Sequence, residues 1–244
     1  MSASGIEGRT VVITGAASGI GRALALGFIK DGAKVVAADI NGEGLKAAAD
    51  AGAVAIEIDV TQPDEVARMA QMAVEATGRL DVLFNNAGLG ANTRIEALEP
   101  GVFERFVGVH LFGALYGLQS ALPIMRAQGY GRVINTLSRG AEARAPGWAA
   151  YGSAKAGLFA LTRIAASEVE GVDILINGMI PGPTRSGMMQ GANLQDPEAV
   201  YPAALHLATL PAGGPSGQVF WNMKPYALFR DQLRAEATGA AGAN

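Results

Sequence analysis

Short apolar runs and helical stretches alternate from one end of this chain to the other, and that alternation leaves few folds open. Residues 10–14, with Val-Val-Ile at their centre, read as a strand. Residues 22–30 carry apolar side chains at helical spacing, and Gly32 ends that run. Further strands read at 34–40, 53–58, 80–84, 132–137, 173–180 and 217–222. Helices read at 43–50, 63–77 (Pro63 suits a first turn), 100–128, 149–169, 198–210 and, as a terminal helix, 224–237. Strand-helix alternation with no linker, repeat or break in composition calls for one α/β domain. The expectation is a doubly wound, mostly parallel, seven-stranded sheet with helices on both faces over residues 1–223, followed by a partly helical tail, 224–244.

In such sheets ligands bind beyond the carboxyl ends of the strands. Gly15, Asp39, Asp59, Asn86, Ser138 and Gly182 all fall at such ends. The first of these opens a glycine turn, Gly15-Ala-Ala-Ser18-Gly19-Ile20-Gly21. Glycines let backbone approach a pyrophosphate, and the following helix offers free amides to it. Asp39 lies about twenty residues further on, where a carboxylate accepts hydrogen bonds from both hydroxyls of an adenosine ribose. It would repel a 2′-phosphate, and no basic residue follows it closely, so NAD is expected over NADP. Asp59 suits the adenine amino group. Asn85-Asn86-Ala87-Gly88 places paired amides where they can tie strands to the first turn.

Tyr151-Gly-Ser-Ala-Lys155 opens an alanine-rich helix, and i, i+4 spacing sets phenol and ammonium on one face. A cation beside a phenol favours the phenolate, which makes the tyrosine an acid/base near neutral pH. Ser138, at the end of the preceding strand, can hold a substrate oxygen beside it.

Composition narrows the alternatives. Half of the 244 residues are apolar, 17% are charged and the formal charge is −3, which gives no footprint for nucleic acid. There is no cysteine, and His110 and His206 lack ligand spacing, so no disulfide and no metal site are expected. Residues 1–9 have no apolar core, and no apolar run approaches the ~20 residues of a membrane span; the expectation is a cytoplasmic protein with no membrane partner.

Taken together, residues 8–222 resemble the short-chain dehydrogenase/reductase family, a Rossmann-type fold. Thr14 to Gly21 resembles its cofactor turn, Asn86-Ala87-Gly88 its sheet-stabilising motif, and Pro181-Gly182 its nicotinamide-side motif; Ser138, Tyr151 and Lys155 stand at the spacing of its catalytic residues. The resemblance implies that Ile20, Asp39, Asp59, Val60, Asn86, Tyr151, Lys155 and Thr184 contact NAD, with Ala87, Gly88 and Ser186 beside them. It implies that Ser138 orients the substrate oxygen, Tyr151 exchanges the proton, and Lys155 lowers the tyrosine's pKa. It also implies a homodimer or homotetramer, with the helices at 100–128 and 149–169 at one two-fold interface.

Three departures stand out. Val109-His110-Leu111 replaces the family's Val-Asn-Leu, where the asparagine anchors a relay water; an imidazole can hold the same water or shuttle the proton. Pro181-Gly182-Pro183-Thr184-Arg185-Ser186 varies the nicotinamide-side motif, and no pair of glycines follows the last strand. The substrate pocket is expected from loops 89–94, 139–148 and 186–194. Trp148, Met188 and Met189 suit an apolar substrate body, while Arg94, Arg139, Arg144 and Arg185 would suit a carboxylate or phenolate. A non-catalytic dinucleotide-binding module, and an isomerase or lyase on the same scaffold, remain alternatives.

Overall fold

The computed structural model describes residues 5–90, 92–187, 189 and 191–229. In chain order the strands are β1 (Thr10–Thr14), β2 (Lys34–Asp39), β3 (Val54–Glu57), β4 (Val82–Asn85), β5 (Gly131–Thr136), β6 (Ile174–Ile180), β7 (Val219–Trp221) and β8 (Lys224–Pro225). They form one sheet in the order β3-β2-β1-β4-β5-β6-β7-β8. Every pairing is parallel except the last. The chain winds outward from β1 through β2 and β3, then crosses to β4 on the other side of β1. That reversal opens a crevice at the carboxyl ends of β1 and β4.

The helices are α1 (Gly19–Lys30), α2 (Lys46–Asp50), α3 (Pro63–Thr77), α4 (Val102–Val107), α5 (Gly113–Gln128), α6 (Ala149–Ser167) and α7 (Tyr201–Ala208). They cover both faces of the sheet. Leu24 and Phe28 of α1 and Leu207 of α7 pack on Val11 and Ile13 of β1; Met69 of α3 and Leu118 of α5 share the opposite core with Val12. Successive β1 side chains therefore enter two different cores, so the strand reads as a continuous apolar run without alternation. Phe28 meets Phe84 at 5.4 Å and Tyr201 at 5.0 Å between ring centroids. Burying one such side chain contributes about 1.5–3 kcal/mol.

Three expectations are corrected. The sheet has an eighth strand: β7 turns back through Asn222 and Met223, with φ 49° and 61°, into antiparallel β8. These two residues adopt the left-handed backbone of a two-residue hairpin where glycine is the usual choice. The terminal helix expected from Lys224 consequently begins as a strand, and its part beyond Phe229 lies outside the described residues. Last, the single helix expected over 100–128 does form, α4 and α5 joining through a π-helical turn, Gly108–Phe112, but the expectation that no apolar run approaches a membrane span is corrected, because this helix of 27 residues is long and apolar enough by length and composition to cross one. Here it packs on α3, α6 and β5, as a helix covering a sheet does.

Candidate active site

The turn after β1 is shaped for close backbone approach. Gly15 has φ +70°, and a Cβ on it would lie 2.8 Å from the Ala87 Cα; a Cβ on Gly21 would overlap the Gly15 carbonyl oxygen. Ser18 precedes the first residue of α1, and its side chain makes no cap, so the first-turn amides are not satisfied by that hydroxyl. Asn86 locks the turn to β4: its Nδ2 donates to the Thr14 carbonyl at 3.0 Å, while its own N–H donates to Thr14 Oγ1 at 3.0 Å. Ala87 N–H donates to the same hydroxyl at 3.1 Å.

Asp39 ends β2 half-buried, with Oδ2 accepting from Ala17 N–H at 3.0 Å and Oδ1 from Asn41 N–H at 2.9 Å. Each oxygen keeps a lone pair for a ribose hydroxyl. Asp59 accepts from Thr61 N–H at 2.9 Å, and buried Val60 faces Gly113 of the long helix. On the far side, Ser186 approaches the glycine turn, 3.2 Å from where a Gly19 Cβ would lie, and Ile20 packs against the first core. Gln195 braces the segment after β6: its Nε2 donates to the Pro181 carbonyl and, at 3.0 Å, to Thr184 Oγ1. Gly182 sits under Trp221, with the indole Nε1 3.3 Å from the position of a Cβ.

The reacting groups meet beside this cradle. β5 ends at Thr136, and Ser138 opens a 3-10 turn, Arg139–Ala141, in which Ser138 Oγ accepts from Gly140 N–H at 3.0 Å. α6 starts at Ala149, which brings Tyr151 and Lys155 to the same place on successive turns. The Tyr151 ring stands edge-on to Trp148 at 5.5 Å and to His110 at 5.2 Å. Lys155, 3% exposed, donates from Nζ to the Thr136 carbonyl at 2.6 Å, with Nζ 5.8 Å from the Tyr151 ring centroid.

Burial governs the proton affinities. It pushes Lys155 down to about 7. It also pushes the Tyr151 phenol above its ordinary value, and the hydrogen bond with Ser138 opposes that shift. The expectation that the ammonium lowers the phenol's pKa is therefore corrected for the free protein: withdrawal from water outweighs a lysine that is itself easily discharged.

His110 sits in the π turn, 2% exposed, with Nε2 3.1 Å from Leu89 N and 3.0 Å from Leu89 O; the tautomer decides which bond forms. Nδ1 is buried with no hydrogen-bond partner among the described residues. Burial and nearby Lys155 hold the imidazole well below its usual pKa, so it is neutral at pH 7. His110 and Lys155 line one small cavity, about 10 Å³, together with Thr14, Asn85 and Val60. That is room for about one water molecule. Gly88 lets the ring in: a Cβ there would stand 2.7 Å from His110 Cε1.

The pocket loops converge in part. Thr93 N–H donates to the Gly147 carbonyl at 3.0 Å, stitching the loop after β4 to the one before α6. A groove of about 570 Å³ between them is lined by Arg94, Arg144 and Trp148, but not by Ser138 or Tyr151, so it adjoins the reacting groups rather than enclosing them. Arg94 lies 3.9 Å from Glu96, Arg139 3.7 Å from Glu142 and Arg185 3.0 Å from Asp196, which leaves those three already matched to carboxylates. Met189 is 41% exposed, and Met188 lies outside the described residues. Among the described residues there is no cluster of metal-ligating side chains.

Sequence reading missed Gln195, and it missed the buried line Asn85 Nδ2 to Asn135 Oδ1 (2.8 Å) and Asn135 Nδ2 to Thr162 Oγ1 (2.9 Å) that joins β4, β5 and α6. Paired asparagines in apolar strands were the available signal, since a buried amide demands partners.

The family model described as short chain dehydrogenase matches residues 9–197. A levodione reductase from Leifsonia aquatica is 36% identical over 206 residues, covering 80% of this chain and 77% of that protein. A fluoren-9-ol dehydrogenase from a Terrabacter strain is 31% identical, covering 88% of this chain and 71% of that one. The crystal structure of a 3-ketoacyl-(acyl-carrier-protein) reductase from Brucella melitensis complexed with NADH superimposes with a TM-score of 0.84 at 28% identity, over 89% of this chain and 97% of that one.

Proposed function

The chain belongs to the short chain dehydrogenase family, and from that premise we propose that it is an NAD-dependent oxidoreductase interconverting a secondary alcohol and a ketone. The observation that carries this reading is the convergence of Ser138, Tyr151 and buried Lys155 beside a glycine turn faced by Asp39. The residues fit the cofactor. The unsubstituted faces of Gly15 and Gly21 and the start of α1 suit a pyrophosphate, Asp39 suits an adenosine ribose bearing two free hydroxyls, and Asp59 and Val60 suit the adenine. Thr184, Ser186 and the Pro181-Gly182 turn would hold the nicotinamide end. When bound, the nicotinamide supplies the hydride acceptor or donor.

The protein's own part is positioning and proton handling. Ser138 donates a hydrogen bond to the substrate oxygen. Tyr151 takes the hydroxyl proton in oxidation and returns it to the carbonyl oxygen in reduction. Lys155, with a proton affinity near neutrality, stabilises the phenolate while it is charged and can release a proton toward the cavity shared with His110. The matched arginines and the indoles of Trp148 and Trp221 support an apolar, ring-bearing substrate, in keeping with the names of the levodione and fluorenol relatives. Apolar side chains left outward on the long helix and α6, Phe103, Phe112 and Ile164, support a homodimer or homotetramer.

The test is turnover of purified protein with 9-fluorenol, substituted cyclohexanols and cyclohexanediones, using NAD or NADP and following the reduced cofactor's absorbance. Tyr151→Phe should bind NAD and lose ~10²–10⁴-fold in turnover. No cofactor binding, or near-normal rates in that variant, would overturn the reading.

A further inference from the structure

We infer that Glu142 is a positioning residue for Ser138: it fastens the turn that carries the serine to the C-terminal segment. The inference rests on the reading of Ser138 as the group that holds the substrate oxygen.

The last sheet bond before the serine is Leu137 N–H to the Met179 carbonyl, at 2.8 Å. Beyond it the chain leaves the sheet and enters the 3-10 turn, where Glu142 N–H closes on the Arg139 carbonyl at 3.1 Å. A short turn of this kind has few internal bonds to hold it. Its support comes from residues 226–229, more than eighty positions away in the chain.

The Glu142 carboxylate is 9% exposed and receives two donors from that segment: Tyr226 Oη–H at 2.5 Å and Phe229 N–H at 2.8 Å. A carboxylate so far from water needs such donors in place of the hydration it has lost. The Arg139 guanidinium completes the junction, 5.1 Å from the Trp221 ring centroid and 5.9 Å from that of Tyr226. The same segment reaches the residue before the serine, because buried Leu228 shares a core cluster with Leu137. Phe229 meets Phe159 of α6 at 5.5 Å, so the junction spans the turn and the helix that bears Tyr151. Trp221 also covers Gly182, which places the segment against the expected nicotinamide end. The hairpin through Asn222 and Met223 is what returns the chain to this place.

A hydroxyl must be held to a fraction of an ångström to align a reacting oxygen, and a displacement of about 1 Å can cost ~10²-fold in rate. Releasing Glu142 should therefore loosen the turn and lower turnover while leaving the cofactor cradle intact.

The experiment uses the full chain with Glu142→Ala, Glu142→Gln and Tyr226→Phe, and two readouts. Amide hydrogen exchange measured by mass spectrometry compares residues 138–142 and 226–229 with β1 and α1. Steady-state kinetics uses the best alcohol from the panel above. Glu142→Ala should speed exchange in 138–142 and 226–229 alone, and lower turnover roughly tenfold or more with NAD affinity retained. Glu142→Gln keeps the shape and one acceptor, and should recover part of both losses. Tyr226→Phe removes one donor and should shift both readouts the same way by less. Unchanged exchange in 138–142, exchange faster by the same factor in β1 and α1, or normal turnover from a loosened turn would each overturn the inference. An unaltered protein that binds NAD but oxidises no alcohol overturns the functional reading instead, and exchange then decides alone whether Glu142 holds the turn.

Discussion

His110→Leu removes a side chain that links the π turn to the loop after β4 and also borders the Lys155 cavity. Two costs follow, and they are separable. The backbone of Leu89 loses its partner, but Leu89 is half-buried and water can reach it, so the stability loss should stay near the lower end for a lost hydrogen bond, about 1 kcal/mol. Leucine also removes the buried, unpartnered Nδ1, which offsets part of that cost. The second cost is kinetic. If His110 and Lys155 pass the proton through their shared cavity, loss of the imidazole should lower turnover at least tenfold, about 1.4 kcal/mol in the barrier, with NAD affinity retained. His110→Asn should keep much of the activity, because an amide can also bind a water in that cavity. Urea denaturation measures the first cost and rate–pH profiles the second. The profile of kcat/KM reports groups of the free enzyme, so its inflection near the Lys155 value of about 7 should move when the neighbouring ring is replaced. His110→Leu turning over normally across the whole pH range, with only the stability loss, would refute the relay and leave His110 as packing.

Asp39→Ala should weaken use of NAD and narrow the gap to NADP, because the repulsion of a 2′-phosphate disappears with the carboxylate; equal use of both cofactors by the unaltered protein would defeat this. Lys155 binds its proton with a pKa of about 7 when folded and near 10.5 when unfolded. Between those values the unfolded chain holds more protons, so stability should rise from about pH 7 to about pH 10, with the full penalty remaining below pH 7. Denaturation midpoints across that range check it, and Lys155→Met should flatten the rise. Met223 is held at φ 61° and is half-exposed, so Met223→Gly relieves left-handed strain of about 1–2 kcal/mol against an entropy cost of about 0.5–1 kcal/mol. A higher melting temperature is expected, and an unchanged or lower one would show that the hairpin holds no strain.

Much of the fold was legible because it is local. β1 and α3 have the bounds that their apolar runs predicted, since a strand buried on both faces and a helix opened by Pro63 announce themselves within a dozen residues. The doubly wound sheet and its family followed from the order of such elements. The places of the candidate site residues in the fold were legible for a related reason: a residue just beyond a parallel strand must lie at the carboxyl edge of the sheet, whatever surrounds it.

The remainder depends on groups distant in the chain. β8 exists as a strand because β7 presents an edge to pair with, and nothing within Lys224–Pro225 would form one alone. The phenol of Tyr151 is pushed up and the ammonium of Lys155 down because tertiary packing withdraws both from water, a condition absent from their i, i+4 spacing. Likewise Glu142 meets Tyr226 across 84 residues. By itself, then, the amino-acid sequence determined the elements from β1 to β7, their order and the residues placed at the carboxyl edge of the sheet, because backbone preference and periodicity act over a few neighbours. Only the tertiary structure decided the proton affinities, the π turn's placement of His110 and the bracing of Ser138, because each depends on burial and partners that no local stretch contains.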